Sequence, residues 1–392
     1  MEYVVLGTGG IGRALIMDVL ATHPGVRIRA FDQFEAALAP LSQLGAAGRL
    51  TCKCIDVASP TDMADAIASA SVVINTTDGS RSIDILDACI AAKRPYLDVH
   101  GTLLVNERLA RDEAARRAGI TALIGMGCSP GITNMLGAYG ARQSEGDIEV
   151  VIEYFTQRPL NPSIGLLDTV LRQFRDHVRA YEFVDGRYVL HPPFADPIRT
   201  RFPGVEGEVE LVRTPHSEPQ TLPRFVPGLR RVSVYGAYQP EIMEFIKSLA
   251  RFGLLREDLK TDVGGMAQEF APILRDALMA DGALKPGEVT TIYCLRVRVI
   301  STRSGYKRVV ETTVGHPDGW DRLPQARMTA VPAAYTAQLM ASGQLHQPGV
   351  VGPEVFDDTS VEGCLAYMRE RGLWTITESR ETHNSSLAPD TK

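Results

Sequence analysis

The chain lacks most of the features that would set it apart from an ordinary globular protein. Its 392 residues hold only six cysteines, too few and too scattered for a disulfide framework. Cys52 and Cys54 lie two apart on an expected strand and so share a face. No second pair follows at zinc-site spacing, so we read them as packing residues and expect no metal site. No apolar run reaches the roughly 18 residues that a membrane span needs. There is no excess of positive charge either: the net charge is −6, and a phosphate-binding face would need a basic surplus, so nucleic acid is not an expected partner. Met1 and Glu2 run straight into the strand-like "YVVL" without a basic region or cleavage site. A soluble, cytoplasmic protein with reduced thiols is therefore expected. Internal repeats and low-complexity tracts are missing too. What is present is a globular composition, 44% hydrophobic and 22% charged, over a length that favours two domains.

Residues 1–130 alternate apolar strands with helical patterns. Strands are expected at 3–7, 27–32, 51–57, 71–77, 95–101 and 120–127, each of the first five followed by an amphipathic segment. That rhythm implies right-handed βαβ units and a Rossmann-type, doubly wound parallel sheet, hence the α/β class. The rhythm changes near residue 145. "DIEVVIEYF" alternates like a half-buried strand, and Asp185-Gly186 and Ser304-Gly305 sit between strand-like runs as hairpin turns. "PEIMEFIKSLARFG" places apolar residues on one helix face and stops at Gly253, while Pro272 predicts a kink or early end in "MAQEFAPILRDALMA". Residues 131–330 therefore read as an inserted α+β substrate and dimerisation domain on a largely antiparallel sheet. Residues 331–376 return as helices to the nucleotide domain, with Thr359 and Glu362 as a capping box. The polar tail, 377–392, is expected to be disordered.

Gly7, Gly9 and Gly12 give G-x-G-x-x-G immediately after an apolar strand and at the opening of a helix. Asp32 ends the second strand, 20 residues after Gly12. This context is the dinucleotide fingerprint. Gly7 permits the tight turn, Gly9 lets backbone approach a pyrophosphate, and Gly12 lets helix and strand pack closely. Thr8, Gly10 and Ile11 belong to the same cradle, where free amides of the helix N-terminus meet the anion. A carboxylate at Asp32 accepts from ribose hydroxyls and repels a 2′-phosphate, and Gln33 beside it adds no positive charge. NAD is expected over NADP. Asp56 and Val57 end the third strand near the adenine, with capping by Asp56 an equal alternative. Thr76 and Thr77 end the fourth and should border the nicotinamide half.

A second glycine-rich turn, "GMGCSPG", follows the sixth strand. Gly125 and Gly127 would let backbone pass close to a flat ring, and Pro130-Gly131 would open a helix whose amides could meet a carboxylate or carbonyl oxygen. The turn is expected to form the floor where nicotinamide and substrate meet.

The segments "GTGGIG", "YLDVHG", "AGITALIGMGCSPGITNML", "HSEPQTLPR" and "VPAAYTAQLMASGQLHQPGVVGPE", in this order, resemble the saccharopine dehydrogenase-like oxidoreductases. That group includes lysine 6-dehydrogenases, saccharopine reductases and carboxynorspermidine synthases. The resemblance implies hydride transfer at a carbon bearing an amine, and a homodimer or higher oligomer. Ser129-Pro130-Gly131 stands where other branches tend to carry Asp-Pro-Gly, and "HSEPQTLPR" and Asp32 point the same way, so the sequence looks closest to the lysine 6-dehydrogenase branch. Oxidative deamination of lysine or a related diamino acid is the expected activity. Reductive joining of an amine and a carbonyl compound is the alternative, and a non-catalytic NAD-binding protein is the second.

Deamination needs a base for the ammonium proton. Asp98 and His100, at the end of the fifth strand, are candidates to hold the amine or relay its proton, with turn capping by Asp98 equally open. His216 and Glu218, in "HSE", are placed by the resemblance as catalytic groups of the central domain. Cys128 is expected to pack on the nicotinamide and Ser129 to border the substrate. Arg224, then Arg231, are the expected partners of a substrate carboxylate.

Overall fold

The structure is a computed structural model and describes residues 1–44, 48–101, 104–158, 164–263, 266–280, 291–320 and 324–383. Its strands in chain order are β1 (Glu2–Leu6), β2 (Arg27–Asp32), β3 (Leu50–Cys54), β4 (Val72–Asn75), β5 (Tyr96–Asp98), β6 (Thr121–Leu123), β7 (Asp147–Gln157), β8 (Ala180–Val184), β9 (Arg187–His191), β10 (Ile198–Thr200), β11 (Val209–Arg213), β12 (Leu229–Tyr238), β13 (Lys260–Val263), β14 (Met266–Glu269), β15 (Ile292–Arg303), β16 (Tyr306–Gly315), β17 (Gly349–Val351) and β18 (Trp374–His383). The chain divides into two compact units. The first comprises Met1–Tyr139, Arg224–Val226 and Gln325–Leu373, and the second comprises Gly140–Pro223, Pro227–Pro324 and Trp374–Lys392.

The first unit is built on a parallel seven-stranded sheet in the order β17-β6-β5-β4-β1-β2-β3. Val4, Leu6, Phe31, Val73 and Ile85 lie in its core. Strands buried on both faces explain the continuous apolar runs: all four residues of β4 are buried. The strand order reverses between β1 and β4, the switch point outside which open α/β sheets bind ligands. The returning segment contributes a seventh strand, β17, beside β6, as well as helices. One expectation needs correcting here. The final helix, Asp358–Glu370, is capped by Asp357, whose side chain accepts from Ser360 N at 2.7 Å, and not by a Thr359–Glu362 box.

The second unit carries a nine-stranded mixed sheet whose main path is β10-β11-β12-β7-β15-β16-β18, with β8 and β9 branching from β12. Most pairs are antiparallel, but β7 and β12 at the centre are parallel. Both expected hairpins form. Asp185 (φ 48°) with Gly186 (φ 82°) and Ser304 (φ 50°) with Gly305 (φ 81°) supply the left-handed pairs that a two-residue turn between twisted strands requires. Helices pack Leu167, Val170, Ile242 and Ile246 onto one sheet face. Pro272 does not break a helix. Met266–Glu269 is a strand, and Pro272 lies in the first turn of the helix Phe270–Met279, where its missing amide costs little. The tail is likewise corrected. Trp374–His383 forms β18, paired along its whole length with β16, while residues 384–392 lie outside the described residues.

Candidate functional site

The fingerprint glycines divide into two roles. A Cβ on Gly12 would lie 2.0 Å from Gly7 O, and one on Gly7, whose φ is +89°, 2.8 Å from the Thr76 backbone. These two positions let the turn close upon itself. A Cβ on Gly9 would meet nothing within 4 Å. Gly9 is also the N-cap of α1 (Gly10–Thr22), which no side chain caps. Open space over a glycine, beside uncapped helix amides, fits a dinucleotide phosphate. Asp32 lies beside it. Its Oδ2 accepts from Thr8 N at 2.7 Å and Thr8 Oγ1 at 3.0 Å, and its Oδ1 accepts from Phe34 N at 3.0 Å. The carboxylate is thus fixed at the tip of β2, with Gln33 exposed next to it. Gly9, Asp32 and the start of α1 are the residues that would hold the dinucleotide.

Other expected cofactor contacts are engaged elsewhere. Thr76 donates to Gly7 O at 2.7 Å and Leu6 O at 3.1 Å, so its hydroxyl braces the glycine turn. Thr77 is held through its amide and hydroxyl by Asn75 Oδ1. Asp56 accepts from Ala58 N at 2.8 Å, the turn-capping alternative, with Val57 half-buried beside it.

Asp98 is fully buried, and its expected role as base or amine holder is corrected by its partners. Arg108 Nη1 lies 2.8 Å from both carboxylate oxygens; Tyr96 OH, His100 N and Gly125 N donate at 2.9, 3.1 and 2.8 Å. Burial alone would raise its pKa. The Arg108 guanidinium, His100 and the Gly125 amide outweigh that and hold the carboxyl well below the usual range. A group so firmly ionised and surrounded is an anchor, not a base poised near neutrality. His100 lies beside it, with Nε2 3.1 Å from Thr77 O and Nδ1 3.7 Å from Asp98 Oδ2.

Asp98 also accounts for the second glycine turn. By accepting from Gly125 N it fastens the end of β6 to the end of β5. Gly127 N donates to Pro130 O, and a Cβ on Gly131 would lie 2.0 Å from Gly127 O, so the turn is folded tightly on itself. Asn134 ties it to the returning segment, accepting from Gly131 N at 2.8 Å and donating to Glu354 Oε1 at 2.6 Å. Cys128 is buried with Sγ 3.0 Å from Thr329 Oγ1, which places the thiol in packing within the unit. Ser129 stands next to it, half-buried.

In the second unit, His216 and Glu218 do come together, with Nδ1 and Oε2 3.3 Å apart. Glu218 is fully buried and His216 nearly so. The His216 ring lies 5.0 Å from that of Tyr154, which lies flat over Gly236, where a Cβ would come within 2.1 Å of it. Burial, then the neighbouring Tyr238 phenol, push Tyr154 well above the ordinary phenol range. Tyr238 OH donates to Gln173 Oε1 at 3.1 Å, and the Arg158 guanidinium sits 5.6 Å from the Tyr238 ring. Gln239 clamps the Arg158 backbone at both its amide and its carbonyl, each at 2.9 Å. Arg158 is 2% exposed, and burial lowers its pKa. Tyr154, Arg158 and Tyr238 lie at the carboxyl ends of the parallel pair β7 and β12. An acid, an imidazole and a guanidinium, all desolvated, can together bind a molecule carrying both charges and move a proton on it.

The two expected carboxylate ligands are elsewhere. Arg224 forms an exposed ion pair with Asp112 at 3.4 Å. Arg231 lies near the opposite end of β12 from Tyr238 and is bound by Glu182 at 2.7 Å, next to Arg213. Sequence reasoning missed Arg158, Tyr154 and Tyr238. The available signal was slight: a tyrosine near the carboxyl end of each of two alternating strands, Tyr154 in "DIEVVIEYFTQ" and Tyr238 in "LRRVSVYGAY".

Residues 3–123 match the family description "Saccharopine dehydrogenase NADP binding domain", and residues 166–373 match "Saccharopine dehydrogenase C-terminal domain". The chain belongs to the saccharopine dehydrogenase family. Within that family it is similar to carboxyaminopropylagmatine dehydrogenase of Synechocystis, 20% identical over 95% of this chain and 96% of the relative. It is also similar to carboxynorspermidine synthase of Vibrio alginolyticus, 22% identical over 78% and 77% of the two chains. Among solved structures, the saccharopine dehydrogenase (L-Glu forming) of Saccharomyces cerevisiae aligns over 96% of this chain and 99% of its own, with a TM-score of 0.72 at 14% identity. That likeness shows the fold. The protein is an oxidoreductase of the saccharopine dehydrogenase family with a nicotinamide dinucleotide cofactor. Among the described residues, no helix is long and apolar enough to cross a membrane.

Proposed function

We propose that this saccharopine dehydrogenase-family protein joins an amine to a carbonyl compound reductively, the alternative to lysine deamination. The observation that carries this reading is the match along nearly the whole chain to a carboxyaminopropylagmatine dehydrogenase, supported by the carboxynorspermidine synthase. Both names denote carboxylated polyamine-type compounds. A product of that kind carries ammonium and carboxylate groups, which the buried Glu218, His216 and Arg158 suit.

The amine and the carbonyl compound condense with loss of water to an imine. A bound reduced nicotinamide dinucleotide supplies hydride to the imine carbon. Glu218 holds the cationic amine end of the substrate. Arg158, stacked on Tyr238 and clamped by Gln239, takes the carboxylate, and its desolvation strengthens that bond. His216 holds the proton that keeps the imine nitrogen cationic, the form that most readily accepts hydride, and Glu218 orients its ring. Closure of this group to water favours the imine over its hydrolysis.

The experiment is a cofactor oxidation assay with a panel of diamines or agmatine-type amines and small carbonyl acids or aldehydes. Oxidation is expected only when an amine and a carbonyl compound are both present. Reduction of NAD by lysine alone, with release of ammonia, would favour the deaminating reading.

For the cofactor we propose NAD(H) over NADP(H); the support is the Asp32 carboxylate fixed at the tip of β2, which would accept from ribose hydroxyls and repel a 2′-phosphate. Asp32→Ala is expected to raise the KM for NADH about tenfold, the loss of one or two charge-assisted bonds, and to narrow the preference over NADPH. An unchanged KM ratio would remove Asp32 from cofactor selection.

A further inference from the structure

Among the described residues, the Tyr154 OH and Thr214 Oγ1 of the second unit complete no hydrogen bond, although Tyr154 is 3% exposed and Thr214 1%. A buried hydroxyl left unpaired costs stability, and native proteins rarely leave one so without a reason. The neighbouring Tyr238 hydroxyl, in contrast, is spent on Gln173 at 3.1 Å.

The sheet brings the two hydroxyls to one face. Val212 of β11 stands opposite Gly236 of β12, and Gly236 stands opposite Tyr154 of β7. Side chains alternate along a strand, so Thr214, two residues past Val212, comes out on the face that carries Tyr154. Its amide extends the ladder by donating to Val234 O at 3.3 Å. Pro215 favours an extended Thr214, which puts His216 on the same side, and the His216 ring lies 5.0 Å from that of Tyr154. Gly236 makes the bed for the phenol. A Cβ there would lie 2.1 Å from Tyr154 Cζ, the carbon that bears the hydroxyl. Burial, then Tyr238, hold the Tyr154 pKa well above the ordinary phenol range, against the nearby Thr214 and Gln173 side chains, which pull it down. Tyr154 is therefore a neutral donor that keeps its proton.

Reductive joining leaves one atom of the carbonyl compound to be placed. Arg158 takes the carboxylate and Glu218 the cationic amine end. The carbonyl oxygen is uncharged and is lost as water, and neutral hydroxyls suit it. We propose that Tyr154 and Thr214 bind that oxygen, each donating to one of its lone pairs, and are catalytic residues of the condensation, a role that rests on the reductive-joining reading. The amine nitrogen adds to the carbonyl carbon, and the π pair of the C=O bond moves to the oxygen, where the two donors stabilise the growing charge. The oxygen takes a proton from the added nitrogen and becomes a hydroxyl. The His216 imidazolium supplies a second proton, the C–O bond breaks with its pair on the oxygen, and water leaves. The nitrogen lone pair closes the C=N bond, so the imine forms cationic. The two hydroxyls weaken the resting protein because their partner is the substrate.

Isosteric substitutions test this. Tyr154→Phe and Thr214→Val each remove a hydroxyl and keep the shape. In the ligand-free chain each is expected to raise the midpoint of thermal unfolding by about 2–4 °C, because a desolvation cost is relieved and no bond is lost. The kcat for joining should fall about 100-fold in Tyr154→Phe, the loss of one donor to a developing oxyanion, with the KM for the cofactor unchanged. In the reverse direction, from joined product and oxidised cofactor, the first turnover should keep its wild-type rate, since hydride leaves before water adds. Later turnovers should be slow. A lowered midpoint would mean that the hydroxyl is bonded within the resting protein, and wild-type joining in both variants would take the pair out of the reaction. Either result overturns the proposal while reductive joining stands. A wild type that joins no amine to any carbonyl compound would overturn that reading and this role together.

Discussion

Asp98→Asn is expected to destabilise the first unit by about 3–5 kcal/mol, the usual cost of leaving one member of a buried ion pair without its counter-charge. Arg108 is fully buried, and its guanidinium faces this carboxylate with both oxygens at 2.8 Å. The same substitution takes one acceptor from the set that holds Tyr96 OH, His100 N and Gly125 N, so the end of β6 loosens with it. The pH dependence has a definite sign. The folded carboxyl lies below its unfolded value near 3.9, so its contribution is complete above that value and is lost as the pH falls below it. The stability gap between wild type and Asp98→Asn, measured by urea unfolding, should therefore be constant from pH 7 to 5 and shrink toward pH 3. A catalytic base would behave differently. Its amide variant would fold as the wild type does and lose turnover alone, and that outcome would return Asp98 to the reaction.

His216→Ala is expected to lower kcat about 100-fold or more, the usual contribution of a positioned proton donor or acceptor. Its ring touches Tyr154 and Glu218, whereas the residues proposed to hold the dinucleotide are Gly9, Asp32 and the start of α1. Cofactor affinity, read by fluorescence titration, should hence be unchanged while turnover collapses. Glu218→Gln should raise the KM for the amine more than it lowers kcat, since it loses the charge that holds a cation but keeps a hydrogen-bonding group. Wild-type turnover in His216→Ala would remove the imidazole from proton handling, and the polar group at the ends of β7 and β12 would then be a binding site alone.

The parts of this protein that could be read from its sequence are those set by local rules. Alternating strands and helices announced the parallel sheet, and Asp185-Gly186 and Ser304-Gly305 announced their hairpins, because a tight turn has few solutions in backbone angles. The fingerprint could be read for the same reason, since Gly7 and Gly12 have no room for a Cβ. What escaped is decided at a distance. Arg108 lies in "NERLARDEAARR", where nothing separates one buried arginine from its exposed neighbours; only the fold places it against Asp98. Arg224 and Arg231 were attractive for their charge, yet Asp112 and Glu182 claim them from elsewhere in the chain. Arg158 follows a strand end without any motif, and its burial depends on Tyr238, 80 residues later. The tail looked disordered because β18 is polar on both faces, which a strand at a sheet edge can be when its backbone bonds are met by a neighbour. The lysine-dehydrogenase expectation rested on short local signals, the Ser129-Pro130-Gly131 turn, "HSEPQTLPR" and Asp32; the relative matched along nearly the whole chain is a carboxyaminopropylagmatine dehydrogenase, which favours the alternative reading.

The central claim is that hydride from a nicotinamide dinucleotide ends on the carbon of a newly formed carbon–nitrogen bond. Mass spectrometry of the product made with cofactor carrying deuterium as the transferable hydride tests it directly. The expected product has the mass of amine plus carbonyl compound, less one water, plus one hydrogen and one deuterium, with the deuterium on the carbon next to nitrogen. Contradiction would be the absence of any joined product, with deuterium found in an alcohol or with ammonia released from an amino acid.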